Sequence, residues 1–193
     1  MKLPIFILFS LMIAGCDLFT TRSAEAPTQP RSDYQQAVTP DILISNFISS
    51  LKDKSVVNYL SCLSDTSFAP KQFSFSPSSA AISQYPSLSD NWGKKNEEQY
   101  FNNLKAKISQ DQPITLTLSN VSESPQGDSL IYTASYFLNV PPTNDPSFPA
   151  NYQGELRFNL IRDSRSIWSI YYWQDTKNTN LPSWSELKGR TYY

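Results

Sequence analysis

The chain contains no histidine, and this narrows the chemistry its side chains can do. Without an imidazole there is no Ser-His-Asp or Cys-His nucleophile, no His-ligated zinc or haem and no histidine pH switch. Serines, lysines, carboxylates, tyrosine hydroxyls and two cysteines remain. Ser49-Ser50-Leu51-Lys52 has the Ser-x-x-Lys spacing and Ser89-Asp90-Asn91 reads Ser-Asp-Asn, two of the three boxes of a serine acyl-transfer site. The third box, Lys-Thr-Gly, is missing. Ser49 also falls near the C-terminal end of its expected helix, where backbone carbonyls disfavour an alkoxide. There is no P-loop, dinucleotide fingerprint, Cys-x-x-Cys pair or calcium loop, and five glycines leave little room for phosphate-cradling turns. No cofactor and no metal are expected.

A general acid or base would have to come from a carboxylate, and the strands can be sorted by face to look for one, because alternate side chains point to opposite sides. In the segment from Tyr152 to Asp163, one face carries Tyr152, Gly154, Leu156, Phe158 and Leu160. The other carries Gln153, Glu155, Arg157, Asn159 and Ile161. The preceding strand adds Leu130, Tyr132, Ala134, Tyr136 and Leu138 to the apolar face. Neither apolar face bears an acid or base that is charged at neutral pH, so the concave surface is expected to be greasy and dotted with tyrosine hydroxyls. That suits ligand binding better than proton transfer. Tyr132, Tyr136, Tyr152, Phe158, Tyr171 and Trp173 are the expected pocket walls. Glu155 and Arg157 read as a solvated pair on the sheet exterior. Trp168, Tyr171, Tyr172 and Trp173 make both faces of the last strand aromatic, as core or as a platform for a sugar, peptide or aromatic ligand. Cys62 reads as a small buried apolar side chain.

The elements that position these residues follow from periodicity and punctuation. Thr39-Pro40 opens a helix, with threonine as N-cap, proline in the first turn and Asp41 near the positive end of the dipole. Ile44, Phe47, Ile48 and Leu51 form its core face. A break at Lys52-Asp53-Lys54 leads to a second helix bearing Val56, Tyr59, Leu60 and Leu63. Gln72 to Ser76 alternates as an edge strand inside a serine- and proline-rich stretch. Lys94 to Ile108 is helical, with Tyr100, Phe101, Leu104 and Ile108 as its buried stripe. Four strands follow, Ile114–Val121, Ser129–Val140, Tyr152–Asp163 and Ile167–Gln174, joined by short turns that make them antiparallel neighbours. Helices followed by a run of strands predict an α+β fold, a single domain in which a curved antiparallel sheet of about five strands wraps around three helices.

The first residues are organised differently. Lys2 precedes an apolar run from Leu3 to Gly15, 13 residues and too short to span a bilayer as a helix. It ends in Ile13-Ala14-Gly15-Cys16, which resembles the lipobox of bacterial lipoproteins. The resemblance implies a signal peptide over residues 1–15, lipidation of Cys16 and attachment to the bilayer by several acyl chains. Residues 16–39 read as the lipidated cysteine and a polar tether, and residues 40–193 as the domain. Asp17 resembles an inner-membrane retention signal, so the expected location is the cell envelope, on the inner or outer membrane. With Lys2 removed, 15 basic residues face 17 acidic ones. No basic patch is implied, and nucleic acid is not an expected partner. With one cysteine spent on lipid, Cys62 has no disulfide partner, so the fold depends on its hydrophobic core.

The element order resembles the cone-shaped nuclear transport factor 2-like (NTF2-like) family, also called cystatin-like or polyketide-cyclase-like, over about residues 40–190. Phe47 to Phe68, with Asn58-Tyr59-Leu60-Ser61-Cys62-Leu63, and Arg157 to Trp173, ending in Ile167-Trp168-Ser169-Ile170-Tyr171-Tyr172-Trp173, carry the likeness. The closing Trp184-Ser185-Glu186-Leu187-Lys188 resembles the tail of lipoproteins of this group. The resemblance implies a bent sheet around helices with a pocket at the open end. Enzymes on this scaffold place an Asp-His pair or a lone carboxylate inside the cone, and no residue here matches the histidine. The insertion from Pro77 to Asn91 and the proline loop from Pro141 to Asn151 depart from the compact pattern, and each is placed to close the pocket mouth. The expected function is a non-catalytic envelope module that binds a small apolar ligand or an envelope protein. The alternatives are a cyclase- or isomerase-like enzyme using Glu155 or Asp163, and a purely structural interaction protein with a filled cone.

Overall fold

A computed structural model describes residues 34–89 and 91–192. The expected signal peptide, Cys16 and the expected tether up to residue 33 lie outside these residues. Helix α1 spans Pro40–Lys52, with the Thr39 hydroxyl accepting a hydrogen bond from the Ile42 amide. Helix α2, Val56–Ser61, is capped by Ser55. Strand β1 is Ser74–Ser76 and helix α3 is Ser79–Gln84, followed by a 3-10 turn, Pro86–Ser89. Helix α4 is Lys94–Lys107. The remaining strands are β2 Thr115–Gln126, β3 Ser129–Asn139, β4 Asn151–Arg162 and β5 Trp168–Thr176, and the last helix is α5, Trp184–Thr191. No helix among the described residues is long and apolar enough to cross a membrane.

The five strands form one sheet in the order β1-β5-β4-β3-β2. Four of them run antiparallel, but β1 pairs parallel to β5, Phe75 opposite Trp173, so the sheet is mixed where the sequence predicts an antiparallel one. Strand β1 is remote in sequence from β5, and no hairpin dictates its direction. The alternation is as expected: Leu130, Tyr132, Ala134, Tyr136 and Leu138 of β3 and Tyr152, Leu156, Phe158 and Leu160 of β4 are all buried. Two irregularities bend the sheet. On β2, Asn120 and Val121 together oppose the single residue Ala134, with Asn120 in the left-handed region (φ 51), and Tyr171 is extra on β5. A bulge kinks its strand and increases the local twist, which is how this sheet curves.

The core lies on the concave face, where α1 and α4 contribute Phe47, Tyr100, Phe101 and Leu104. The Phe47 ring meets Phe158 edge-on at 5.3 Å and Trp173 at 5.7 Å. The end of the predicted tether is fixed to this body. The Ala37 carbonyl accepts from the Trp168 amide at 2.7 Å, and Asn46 on α1 exchanges two hydrogen bonds with the Gln35 backbone.

Helix α5 is buried along nearly its whole length. One side enters the cone, and the other is covered by the inserted segment that holds α3 and the 3-10 turn. The Ser78 amide donates to Ser185 Oγ at 2.9 Å, and the Ser78 and Ser183 hydroxyls are 3.2 Å apart. The Tyr85 ring lies so close to Gly189 that a Cβ there would sit 2.3 Å from Tyr85 Cγ. Glycine is the residue that lets the insertion reach the helix. The insertion therefore covers α5, the helix that enters the cone. The proline loop bridges Thr143 to Ile108 at the end of α4 and sets the Phe148 ring 6.5 Å from that of Tyr152.

Candidate functional site

The six residues expected to line a pocket fall into two groups. Tyr132, Tyr136, Tyr152, Phe158 and Trp173 face inward and are buried, packed against other side chains. Tyr171, the bulge residue, is half-buried with the Lys71 ammonium 4.2 Å from its ring centre. The space the five inward residues surround is taken by the chain itself. The Trp184 ring crosses Trp173 at 4.7 Å and Tyr136 at 5.5 Å, and its indole N–H donates to the Tyr100 hydroxyl at 3.0 Å.

The interior also differs from the greasy surface expected, because it holds two carboxylates and an ammonium. Asp175 is the next inward position of β5 after Trp173, one residue beyond where the sequence reading ends that strand. It accepts from the Tyr136 hydroxyl on Oδ1 at 2.7 Å and from the Ser185 amide on Oδ2 at 2.7 Å, and the Ser185 hydroxyl donates to it as well. The Tyr136 oxygen in turn accepts from the Trp184 amide at 2.7 Å. Glu186 reaches back to the Ser183 amide at 2.5 Å and is met by Lys177 at 2.9 Å. The first turn of α5 thus has its free amides answered by buried acceptors, with negative charge at the positive end of the helix dipole. A Cβ on Gly154 would come 2.8 Å from the Tyr136 oxygen and 2.5 Å from the Thr176 carbonyl. The bare backbone at that site is what lets Tyr136 reach Asp175.

Deeper in, the Lys188 ammonium from α5 donates to Glu97 Oε1 of α4, and neither side chain has any solvent exposure. The Trp92 indole N–H donates to the same oxygen at 2.7 Å, and the Tyr59 hydroxyl donates to Oε2 at 2.7 Å. The ammonium also sits 3.5 Å from the Phe75 ring centre and 3.6 Å from that of Trp173, so two π-faces partly replace the water it has lost. Burial pulls its pKa down to about 8, and Glu97 opposes that shift. Burial raises Asp175, with its hydroxyl and amide donors working against the rise, and pushes the Tyr59, Tyr100 and Tyr136 hydroxyls well up. The Cys62 thiol is pushed up to about 12 by burial.

These directions predict how stability changes with pH. Between about 8 and the ordinary lysine value of 10.5, the folded chain has released the Lys188 proton while the unfolded chain still holds it, so stability rises with pH. The thiol and the tyrosines act in the opposite sense. Their unfolded forms ionise near 9 and 10 while the folded forms stay neutral, so stability falls above those values. Denaturant titrations at pH 7, 9 and 11 are expected to show a gain of at most about 1.4 kcal/mol per pH unit on the Lys188 limb, followed by a steep loss at pH 11. A fall from pH 7 to 9 would mean that Glu97 outweighs burial at Lys188.

The acids named for the enzyme alternative are not in the interior. Glu155 is exposed on the outer face, and Asp163 caps the β4–β5 turn, accepting from the Arg165 and Ile167 amides. Ser49 lies in the last turns of α1, and Asp90 of the Ser-Asp-Asn triplet is outside the described residues. Among the described residues no group of Cys, Asp and Glu comes together in a way that could hold a metal. Glu97, Asp175 and Lys188 were missed by the sequence reading although each has a signal. Glu97 precedes Tyr100 and Phe101 by three and four residues, Lys188 follows Trp184 by four, and Asp175 alternates with Trp173.

No protein-family model and no curated protein matches the sequence. Solved structures do match the fold. A candidate aromatic ring hydroxylase from Novosphingobium aromaticivorans superposes with a TM-score of 0.57 at 13% identity, over 79% of this chain and 96% of its own. A candidate dehydratase of the NTF2-like family from Streptomyces avermitilis gives 0.52 at 12% identity, over 73% and 99%. The chain has the NTF2-like fold. An NTF2-like protein of unknown function from Pseudomonas putida gives 0.51 at 11% identity, over 72% and 83%. At such identities the likeness is one of fold alone, and in this NTF2-like domain the concave side is occupied by α5.

Proposed function

We infer that this is a cell-envelope lipoprotein, held at the bilayer through acylated Cys16, whose NTF2-like domain is a non-catalytic module that works through its outer surface. The observation that carries the reading is the seating of Trp184 and Lys188 in the cone. An interior carboxylate acts on a substrate only if a substrate can reach it. Glu97 accepts from Lys188, Trp92 and Tyr59, and Asp175 from the Tyr136 hydroxyl and the Ser185 amide and hydroxyl, so three of the roughly four acceptor sites of each carboxylate are taken within the chain. Of the three roles weighed from the sequence, a filled cone favours the interaction protein over the carrier of a small apolar ligand and over the cyclase-like enzyme. The anchor rests on Ile13-Ala14-Gly15-Cys16.

Native mass spectrometry of the full chain purified from a bacterial membrane tests both parts. The expected result is a polypeptide beginning at Cys16 with acyl mass added and no further small molecule retained, with Cys16→Ser losing the acyl mass and leaving the membrane fraction. Unchanged membrane retention in Cys16→Ser would contradict the anchor. A stoichiometric small molecule retained by the domain would contradict the filled interior.

A further inference from the structure

A cleft of about 350 Å³ opens between the start of α4, the segment after α2 and the β4–β5 turn, and of its walls Leu63 belongs to the buried core while Trp184 and Lys188 are not among them. Its size is within the roughly 300–1,000 Å³ of small-molecule sites. Tyr34, Phe68 and Trp168 give it aromatic walls. Two of its charges are spent on each other: Arg165 binds Asp163 through Nε at 3.0 Å and Nη2 at 2.7 Å and stacks on the Phe68 ring at 3.6 Å. The other two are not closed. Lys94 Nζ donates to the Leu63 carbonyl at 3.2 Å and stands 4.0 Å from Asp65 Oδ2, beyond hydrogen-bond reach. The Asp65 side chain is 51% exposed. Ser169 also lines the cleft. It is only 8% exposed, and its hydroxyl has no hydrogen-bond partner.

We propose that this cleft is a carbohydrate-binding subsite, with a sugar ring against the aromatic wall and neighbouring ring hydroxyls bridging Lys94 and Asp65. The chemistry selects that class. A hydroxyl both donates and accepts, so adjacent hydroxyls can accept from the ammonium and donate to the carboxylate, filling the gap that keeps the two from pairing directly. The lysine and aspartate cancel in charge, which leaves no net attraction for a strong anion or cation. Aromatic faces with polar edges suit a ring that presents C–H bonds on one side and hydroxyls around its rim. The Ser169 hydroxyl lies beneath the cleft surface, out of a ligand's direct reach. The proposal rests on the reading that the domain works through its outer surface, and it names the ligand class.

Saturation-transfer difference NMR on the full chain, with glucose and N-acetylglucosamine as probes, tests it. At least one sugar is expected to show transfer to its ring protons. Asp65→Asn, which keeps an acceptor for the Ser67 amide, and Lys94→Met, which keeps the apolar stem, are each expected to weaken affinity by about tenfold. Transfer to neither sugar, or binding that both variants leave unchanged, would overturn the proposal while leaving the filled interior standing. A sugar whose intermolecular contacts map to Trp184 and not to Trp168 would overturn both.

Discussion

Lys188→Met is expected to lower the unfolding free energy by about 3–5 kcal/mol, the range for breaking a buried pair by removing one partner. A deprotonated amine still has an N–H to give Glu97, but methionine donates nothing, so the loss lies in the missing hydrogen bond and in a carboxylate left buried without that donor. Glu97 keeps the Tyr59 and Trp92 donors but loses the one cation it contacts among the described residues. The double variant Lys188→Met with Glu97→Gln is expected to recover much of the loss, because a glutamine oxygen still accepts from Tyr59 and Trp92 and neither charge of the pair is left buried. Denaturant unfolding of the four proteins of this cycle gives the coupling. A single-variant loss under about 1 kcal/mol, the range of exposed pairs, would mean that water reaches the ammonium and that α5 is not seated as described.

Trp184→Ala is expected to cost about 3–5 kcal/mol as well, for a different reason. The indole is fully buried and touches Trp173, Tyr136 and Phe47, and its N–H answers the Tyr100 hydroxyl. Its removal leaves a hole lined by aromatic rings at the position where the fold otherwise offers a pocket. An apolar hole of that kind stays dry and accepts a small aromatic guest. Added indole is therefore expected to raise the thermal midpoint of Trp184→Ala in a concentration-dependent way and to leave the unaltered chain unmoved. If the variant is nearly as stable as the parent and indifferent to indole, the cone is filled by something other than this ring.

The parts of the fold that sequence made legible are those with local causes. Thr39-Pro40-Asp41 sets the start of α1 through a cap, a fixed φ and a dipole, all within a few residues. The alternation of Leu130, Tyr132, Ala134, Tyr136 and Leu138 names the inward face of β3 because a strand has period two. What was not legible is what meets that face. Lys188 and Glu97 are 91 residues apart, and Tyr136 and Asp175 are 39 apart. Periodicity shows that a side is buried without showing whether a ligand or another stretch of the chain buries it. Charge makes the error systematic. A lysine and a glutamate on two apolar stripes each look like solvated residues until the stripes are brought face to face. The parallel pairing of β1 with β5 was hidden for the same reason, since no short turn connects them.

The direct test of the central claim is native-state hydrogen exchange of the α5 amides, read residue by residue against those of β4. If Trp184 and Lys188 are part of the core, the backbone amides of Leu187 and Lys188 exchange only through global unfolding and share the free energy of the most protected β4 amides. Exchange of α5 through an opening of much lower free energy, with β4 still protected, would make the helix a removable lid over a usable cone and would contradict the account.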